Sequence, residues 1–195
     1  NLPPAPSFVR RGSDQFVLFA GRLESYKGVH VLIESLKYLS LTTKIKIVGV
    51  GPDEARLKAM VGKDTRVEFC GFVPGKELWK MMGKAAVVVV PSIWNEPYGL
   101  VALEAMCQGT PIIVAKSGGL PEIVAPRQAR DGNDELPGII VPAGDAKALA
   151  RAISTVVDSA GRAEAMGNAA FHRAREIGNP QEHLVKMMNV YSSCG

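Results

Sequence analysis

Residues Ala85–Gly109 read AAVVVVPSIWNEPYGLVALEAMCQG, and this stretch decides the fold. It begins with a continuous apolar run, which is typical of a β-strand buried on both faces. A loop carrying Glu96 follows, and Pro97 stands where the first turn of a helix tolerates proline. The residues beyond it are apolar on nearly every side, and Glu104 is the only charged one among them, so the pattern predicts a buried helix.

The two carboxylates of this stretch have two interpretations. A carboxylate inside an apolar helix is costly unless its pKa shifts or donors satisfy it. Glu96 in the loop and Glu104 in the helix therefore suit a ligand that brings its own donors. Alternatively, Glu104 bonds a neighbouring backbone turn and Glu96 is solvated, because buried polar residues are often structural. The residue types alone leave both interpretations open.

The rest of the chain alternates apolar strands with helical segments. Further strands are predicted at 15–20, 44–48, 67–69, 111–115 and 138–141. Helices are predicted at 29–39, 53–61, 76–83, 120–124, 145–158, 161–176 and 180–191, and the helix at 76–83 is expected to bury Leu78, Trp79 and Met82. This alternation predicts an α/β fold, a Rossmann-like doubly wound parallel sheet with C-terminal helices.

The length of 195 residues fits a single domain or one half of a two-domain enzyme. We expect a linker or edge at 1–14, the Rossmann-like core at 15–178 and a C-terminal helix at 179–195. Because the chain begins with Asn1 rather than Met, we expect it to be part of a longer protein. The polar stretch 127–136 is longer than most connections, and we interpret it as a surface loop without an assigned role.

Composition excludes several classes of protein. Hydrophobic residues make up 47% and charged residues 22%, as in a packed soluble domain rather than a disordered chain. No apolar run approaches the ~20 residues of a membrane span, and no signal-peptide pattern opens the chain. The net charge of +4 comes from scattered basic residues, so no nucleic-acid partner is expected. Three cysteines without metal-ligand spacing favour core packing and a reducing, cytoplasmic location.

Loops at one edge of the predicted sheet carry the polar and glycine-rich motifs. Open parallel sheets bind ligands at the carboxyl ends of their strands, where the strand order reverses. The loops predicted at that edge are 21–27, 49–53, 71–75, 91–98 and 116–119. A helix beginning near Pro97 would offer free N–H groups to an anion, and Gly99 would let the anion approach the backbone.

Several motifs follow one another in order between about Phe16 and Asp145. Glu96-Pro-Tyr-Gly-Leu100 precedes Glu104-Ala-Met, Gly109-Thr-Pro and Gly118-Gly-Leu-Pro-Glu-Ile-Val124, and Gly21-Arg-Leu with Lys27-Gly lies upstream. This set resembles the donor-site signature of retaining GT-B glycosyltransferases, in particular the group 1 type numbered family four, with its Glu, seven residues and Glu. Several spaced motifs in the right order are much harder to produce by chance than one.

The resemblance implies roles for individual residues. Arg22 and Lys27 would neutralise the leaving diphosphate, Glu96 would meet hydroxyls of the transferred sugar, and these three are the candidate catalytic residues. Glu104 would accept the ribose hydroxyls, and the base would lie against Gly71–Val73. The remaining candidates for donor binding are Tyr98, Gly99, Leu100, Gly21, Gly71 and Val73.

The resemblance also implies a reaction and its partners. The substrate would be a nucleotide-diphosphate sugar, with no cofactor and no metal. The acceptor, a saccharide, lipid or small molecule, would bind an N-terminal domain absent from this chain, so the domain alone would be inactive or very weak. The full-length enzyme would then be a candidate for peripheral membrane association. The alternatives are half of a nucleotide-sugar epimerase or phosphorylase, and a non-catalytic nucleotide-binding module.

Overall fold

The computed structural model describes residues 15–125 and 136–178. The predicted linker at 1–14, the predicted helix at 180–191 and nearly all of the predicted loop at 127–136 lie outside these residues. The elements, contacts and cavities of the structure are those of this described part of the chain.

Six parallel strands form one sheet, as predicted. They are β1 (Phe16–Ala20), β2 (Lys44–Val48), β3 (Val67–Gly71), β4 (Val87–Val90), β5 (Ile112–Ala115) and β6 (Gly138–Val141). Their order is β3-β2-β1-β4-β5-β6, and every pair of neighbours runs parallel. The order therefore reverses between β1 and β4, which is where a doubly wound sheet opens a crevice for ligands.

Helices cover both faces of the sheet. They are α1 (Val29–Ser35), α2 (Glu54–Val61), α3 (Gly75–Lys84), α4 (Leu100–Cys107), α5 (Leu120–Val124), α6 (Ala146–Val157) and α7 (Ala160–Ile177). Successive strand residues point to opposite faces, so Val17 packs in the layer of α1, α2 and α6. Leu18 packs in the opposite layer with α3, α4 and α5. The strands β1, β4 and β5 are buried along their whole length, which is why they read as continuous apolar runs.

Three local predictions differ from the structure. Trp79 was expected inside but is 51% exposed, because Leu78 and Met82 share the inward face of α3 and Trp79, next to Leu78, lies on another face. The helix predicted at 29–39 ends at Ser35 and continues as a single 3-10 turn. The helix expected near Pro97 begins at Leu100 instead.

Candidate functional site

A cleft of about 340 Å³ opens between the carboxyl ends of β1 and β4. It lies at the point where the strand order reverses, as expected for this kind of sheet. The predicted site residues that line it are Gly21, Arg22, Lys27, Glu96, Tyr98, Gly99 and Leu100. Residues that are separated by about seventy positions in sequence are thus brought to one cavity by the parallel pairing of β1 with β4.

The exit loops of β1 and β4 are packed backbone against backbone. Gly28 has φ of 72°, and a Cβ atom there would lie 2.0 Å from the carbonyl oxygen of Pro91. The Ile93 N–H donates to the carbonyl oxygen of Tyr26 at 2.9 Å. A glycine is therefore required directly after Lys27, and it allows that side chain to reach the loop that follows β4.

A second loop holds the main chain of Glu96. The Gly119 N–H donates to the Glu96 carbonyl oxygen at 2.9 Å, and the Ser117 hydroxyl donates to the Trp94 carbonyl oxygen. A Cβ atom on Gly118 would lie 2.5 Å from the Glu96 carbonyl oxygen and 2.6 Å from its nitrogen. The sequence motif at 117–119 thus acts as a clamp on the loop that carries the carboxylate.

Lys27 and Glu96 form an ion pair in the cleft. Lys27 Nζ lies 2.7 Å from Glu96 Oε2, and the two side chains are 22% and 19% exposed. The Ser92 hydroxyl donates to the same carboxylate oxygen at 3.2 Å. Lys27 and Glu96 are therefore adjacent, although the sequence suggested that they bind different parts of a ligand, the diphosphate and the sugar.

Arg22 forms an ion pair with Glu24 in which the cation is more exposed than Lys27. Its Nη2 lies 2.5 Å from Glu24 Oε1, and the arginine side chain is 73% exposed. The Tyr26 hydroxyl is hydrogen-bonded to Glu24, and this bond raises the pKa of the phenol. The Glu24 side chain is only 16% exposed, but the arginine end of the pair lies in solvent, so Arg22 can turn toward an anion that enters the cleft.

The N-terminus of α4 faces the cleft. Gly99, Leu100 and Val101 line the cavity, and the first turn of a helix presents N–H groups with a partial positive charge. Gly99 has φ of 56°, and a Cβ atom on it would lie 2.6 Å from Leu120 Cδ2. Position 99 therefore requires glycine because its backbone is left-handed and packs against α5. The sequence suggested a different reason, namely that an anion could approach the backbone there.

Three predicted site residues do not line the cleft. Glu104 lies one turn along α4 from Leu100, is half-buried, and accepts no hydrogen bond within residues 15–125 and 136–178. Gly71 and Val73 lie at and just beyond the end of β3, two strands away from β1. The Gly71 carbonyl oxygen accepts from the Gly49 N–H at 2.7 Å, which joins the exit loops of β2 and β3 along the same edge.

Two partners in the cleft were not predicted from the sequence. Glu24 falls in the loop between Gly21 and Gly28 without a signal that distinguishes it. Ser92 carries one signal, its place just after the end of a buried strand, which indicates a fixed position.

No group of three or more His, Cys, Asp or Glu residues is arranged to hold a metal ion in the described part of the chain. No helix among these residues has the length and apolar character of a membrane span.

Comparison with protein families gives one match. Residues 6–173 match the model of the family described as Glycosyl transferases group 1. Among curated relatives, the uncharacterized glycosyltransferase MJ1607 of Methanocaldococcus jannaschii is 40% identical over 116 residues, which cover 57% of this chain and 30% of that protein. The D-inositol 3-phosphate glycosyltransferase of Corynebacterium efficiens is 33% identical over 173 residues, which cover 83% of this chain and 39% of that protein. The chain thus spans well under half the length of these relatives.

Solved structures share the fold. Anabaena Alr3699/HepE in complex with UDP and glucose superposes with a TM-score of 0.77 at 25% identity, over 93% of this chain and 49% of that one. Sucrose-phosphate synthase from Thermosynechococcus elongatus gives a TM-score of 0.77 at 30% identity, over 93% of this chain and 46% of that one. The C-terminal domain of LpcC from Francisella tularensis gives 0.71 at 22% identity, over 83% and 85% of the two chains, and its likeness concerns the fold alone.

Proposed function

The chain belongs to the group 1 glycosyl transferases, and from this we propose that it is the donor-binding domain of a retaining enzyme. The enzyme would transfer a hexose or related sugar from a nucleotide-diphosphate sugar to an acceptor without a metal. The acceptor would bind a second domain outside this chain, and the acceptor class, a cytoplasmic location and peripheral membrane association remain proposals. UDP and glucose in the Anabaena structure support the class of donor.

The adjacency of Lys27 and Glu96 carries this proposal. A nucleotide-diphosphate sugar presents an anion and a set of hydroxyl groups side by side, so its site needs a cation beside an acceptor of hydrogen bonds. As the glycosidic bond breaks, negative charge grows on the diphosphate, and a fixed cation stabilises that charge most in the transition state. Lys27, with Arg22 and the N-terminus of α4, would supply this stabilisation.

Glu96 would bind the sugar that is transferred. Its carboxylate is a hydrogen-bond acceptor only, and hydroxyl groups of a sugar ring are donors that suit it. We propose a positioning role for it rather than attack on the anomeric carbon. Glu104 would accept the ribose hydroxyls, since it lies on α4 one turn beyond the cleft with spare acceptor capacity in the described structure. The base would lie at Gly71–Val73.

Nucleotide binding by the 195-residue chain tests the site directly. Titration with UDP, GDP and ADP should give selective binding of one nucleotide. Arg22→Ala should weaken that binding by about tenfold, because one charge-assisted hydrogen bond is lost, and Glu104→Ala should weaken it through the ribose. Arg56→Ala, which removes a similarly exposed arginine paired with Asp53 on α2, should leave binding unchanged. Equal losses in all three variants would contradict the assignment.

Metal removal tests the proposed source of charge neutralisation. We expect sugar transfer by the full-length protein that carries this chain to be unchanged after chelation with EDTA, because Lys27, Arg22 and the N-terminus of α4 compensate the diphosphate. The measurement is turnover before and after chelation. A loss of about tenfold or more that Mg²⁺ or Mn²⁺ restores would show that a metal carries part of that charge instead.

A further inference from the structure

The side chain of Ser92 reaches the carboxylate of Glu96 from inside the protein. Ser92 is 1% exposed and follows Pro91 at the end of β4. Its hydroxyl donates to Glu96 Oε2 at 3.2 Å, and the same oxygen lies 2.7 Å from Lys27 Nζ. Within the described residues, Glu96 Oε1 receives no hydrogen bond. Oε2 therefore receives two hydrogen bonds, whereas Oε1 is available to a ligand in the cleft.

The two side chains that donate to Oε2, Lys27 and Ser92, differ in conformational freedom. Lys27 carries its charge on a flexible four-carbon stem, and an ammonium group binds either oxygen of a carboxylate equally well. Ser92 has one side-chain torsion and is enclosed, so its hydroxyl oxygen has a fixed place. The serine therefore holds the carboxylate in one orientation, with one oxygen pointing into the protein and the other facing the ligand.

This difference matters when the cleft is occupied. Under the proposed function, the diphosphate takes Lys27 as its counter-ion, and Glu96 loses that partner. The clamp at Gly118 and Gly119 holds only the main chain of Glu96, and three side-chain torsions lie between that main chain and the carboxylate. Among the described residues, Ser92 is then the group that still holds the carboxylate in place.

We propose that Ser92 is a positioning residue for sugar transfer. It fixes Glu96 Oε2, so that Oε1 meets a hydroxyl group of the transferred sugar while Lys27 binds the diphosphate. This inference rests on the proposed function and adds to it a residue that does not touch the substrate. Its role is to keep one carboxylate orientation through the reaction, which matters because small misplacements of a reacting group are costly.

The test uses Ser92→Ala in the full-length protein that carries this chain, with a nucleotide-diphosphate sugar as donor. We expect kcat to fall by about tenfold or more, the size of one lost hydrogen bond to a charged group. The dissociation constant for the free nucleoside diphosphate should stay unchanged, because that ligand makes no contact through Glu96. A merely structural serine would not separate these two quantities.

Two further variants identify the hydroxyl as the cause. Ser92→Thr keeps the hydroxyl and should restore part of kcat, whereas Ser92→Cys keeps the size but donates weakly and should behave like alanine. Ser35→Ala is the matched control, because Ser35 is equally buried and its hydroxyl donates to the Leu32 carbonyl oxygen within α1, away from the cleft. It should leave kcat unchanged.

The outcomes separate this inference from the proposed function. Wild-type kcat in Ser92→Ala would overturn the inference alone, and so would equal losses of kcat and nucleotide affinity. The same kcat in the threonine and cysteine variants would also overturn it. Absence of any transfer or nucleotide binding by the unmodified protein would instead overturn the proposed function, and the inference with it.

Discussion

Replacement of Lys27 by methionine should lower the turnover of sugar transfer by about 100-fold or more. The substitution keeps an unbranched side chain one atom shorter and removes the charge that is placed to stabilise the leaving diphosphate. Losing one such preorganised group typically costs this much. It also leaves the half-buried Glu96 carboxylate without its cation, 2.7 Å away in the structure. The measurement is kcat in the full-length protein that carries this chain, together with the dissociation constant for the nucleoside diphosphate.

Lys46→Met is the matched control for this experiment. Lys46 lies on β2, is 31% exposed, and forms an ion pair with Glu68 at 3.0 Å, outside the cleft. The control therefore removes a lysine of similar exposure, paired with a more exposed glutamate, without touching the proposed site. If the two variants lose the same turnover, the effect of Lys27 is one of net charge or folding, and its assignment to the diphosphate is wrong.

The second large effect is expected for Gly118→Ala. A Cβ atom at this position would lie 2.5 Å from the Glu96 carbonyl oxygen, against an ordinary contact of at least 3.4 Å, so the Glu96 loop must move. A displacement of about 1 Å at a reacting group costs about 100-fold in rate, and we expect a loss of that size in kcat. Thermal unfolding should also shift downward, because alanine at φ of 55° is disfavoured by about 1–2 kcal/mol.

Gly144→Ala separates the two causes. Gly144 has φ of 78°, and a Cβ atom there would have no neighbour within 4 Å. The control therefore carries a similar backbone penalty without the collision. It should lower the unfolding temperature through the backbone penalty alone, by less than Gly118→Ala, and leave kcat unchanged. A loss of turnover in both variants would mean that stability alone controls activity, and that the clamp on Glu96 has no specific role.

The centre of the sheet could be predicted from the sequence because β1, β4 and β5 are buried on both faces. Runs such as Val87–Val90 and Ile112–Ala115 have no polar residue to place toward solvent, so their apolar character is continuous and their boundaries are clear. The alternation with helices then leaves few topologies, and the observed strand order is one of the common ones.

Details that depend on contacts between residues distant in the sequence were harder to predict from it. The exposure of Trp79 follows from which face of α3 meets the sheet, and a short helix with an aromatic residue beside Leu78 does not settle this. The pairing of Lys27 with Glu96 depends on loops that meet only after β1 has paired with β4, and Ser92 joins this pair by donating to Glu96. The motifs indicated which residues form the cleft, but residue type alone could not indicate which of them touch when it is empty.

The frame of the cleft is built from main-chain contacts, and this has a consequence for how such a domain diversifies. Gly28 and Gly118 hold neighbouring loops together through backbone atoms, so the frame does not depend on the side chains that those loops display. Trp94 and Tyr98, on the loop they hold, are 70% and 75% exposed. Mutation of Trp94 and Tyr98 can change which ligand the edge of the cleft recognises without disturbing the backbone contacts of Gly28 and Gly118. New substrate preferences can therefore evolve without a new fold.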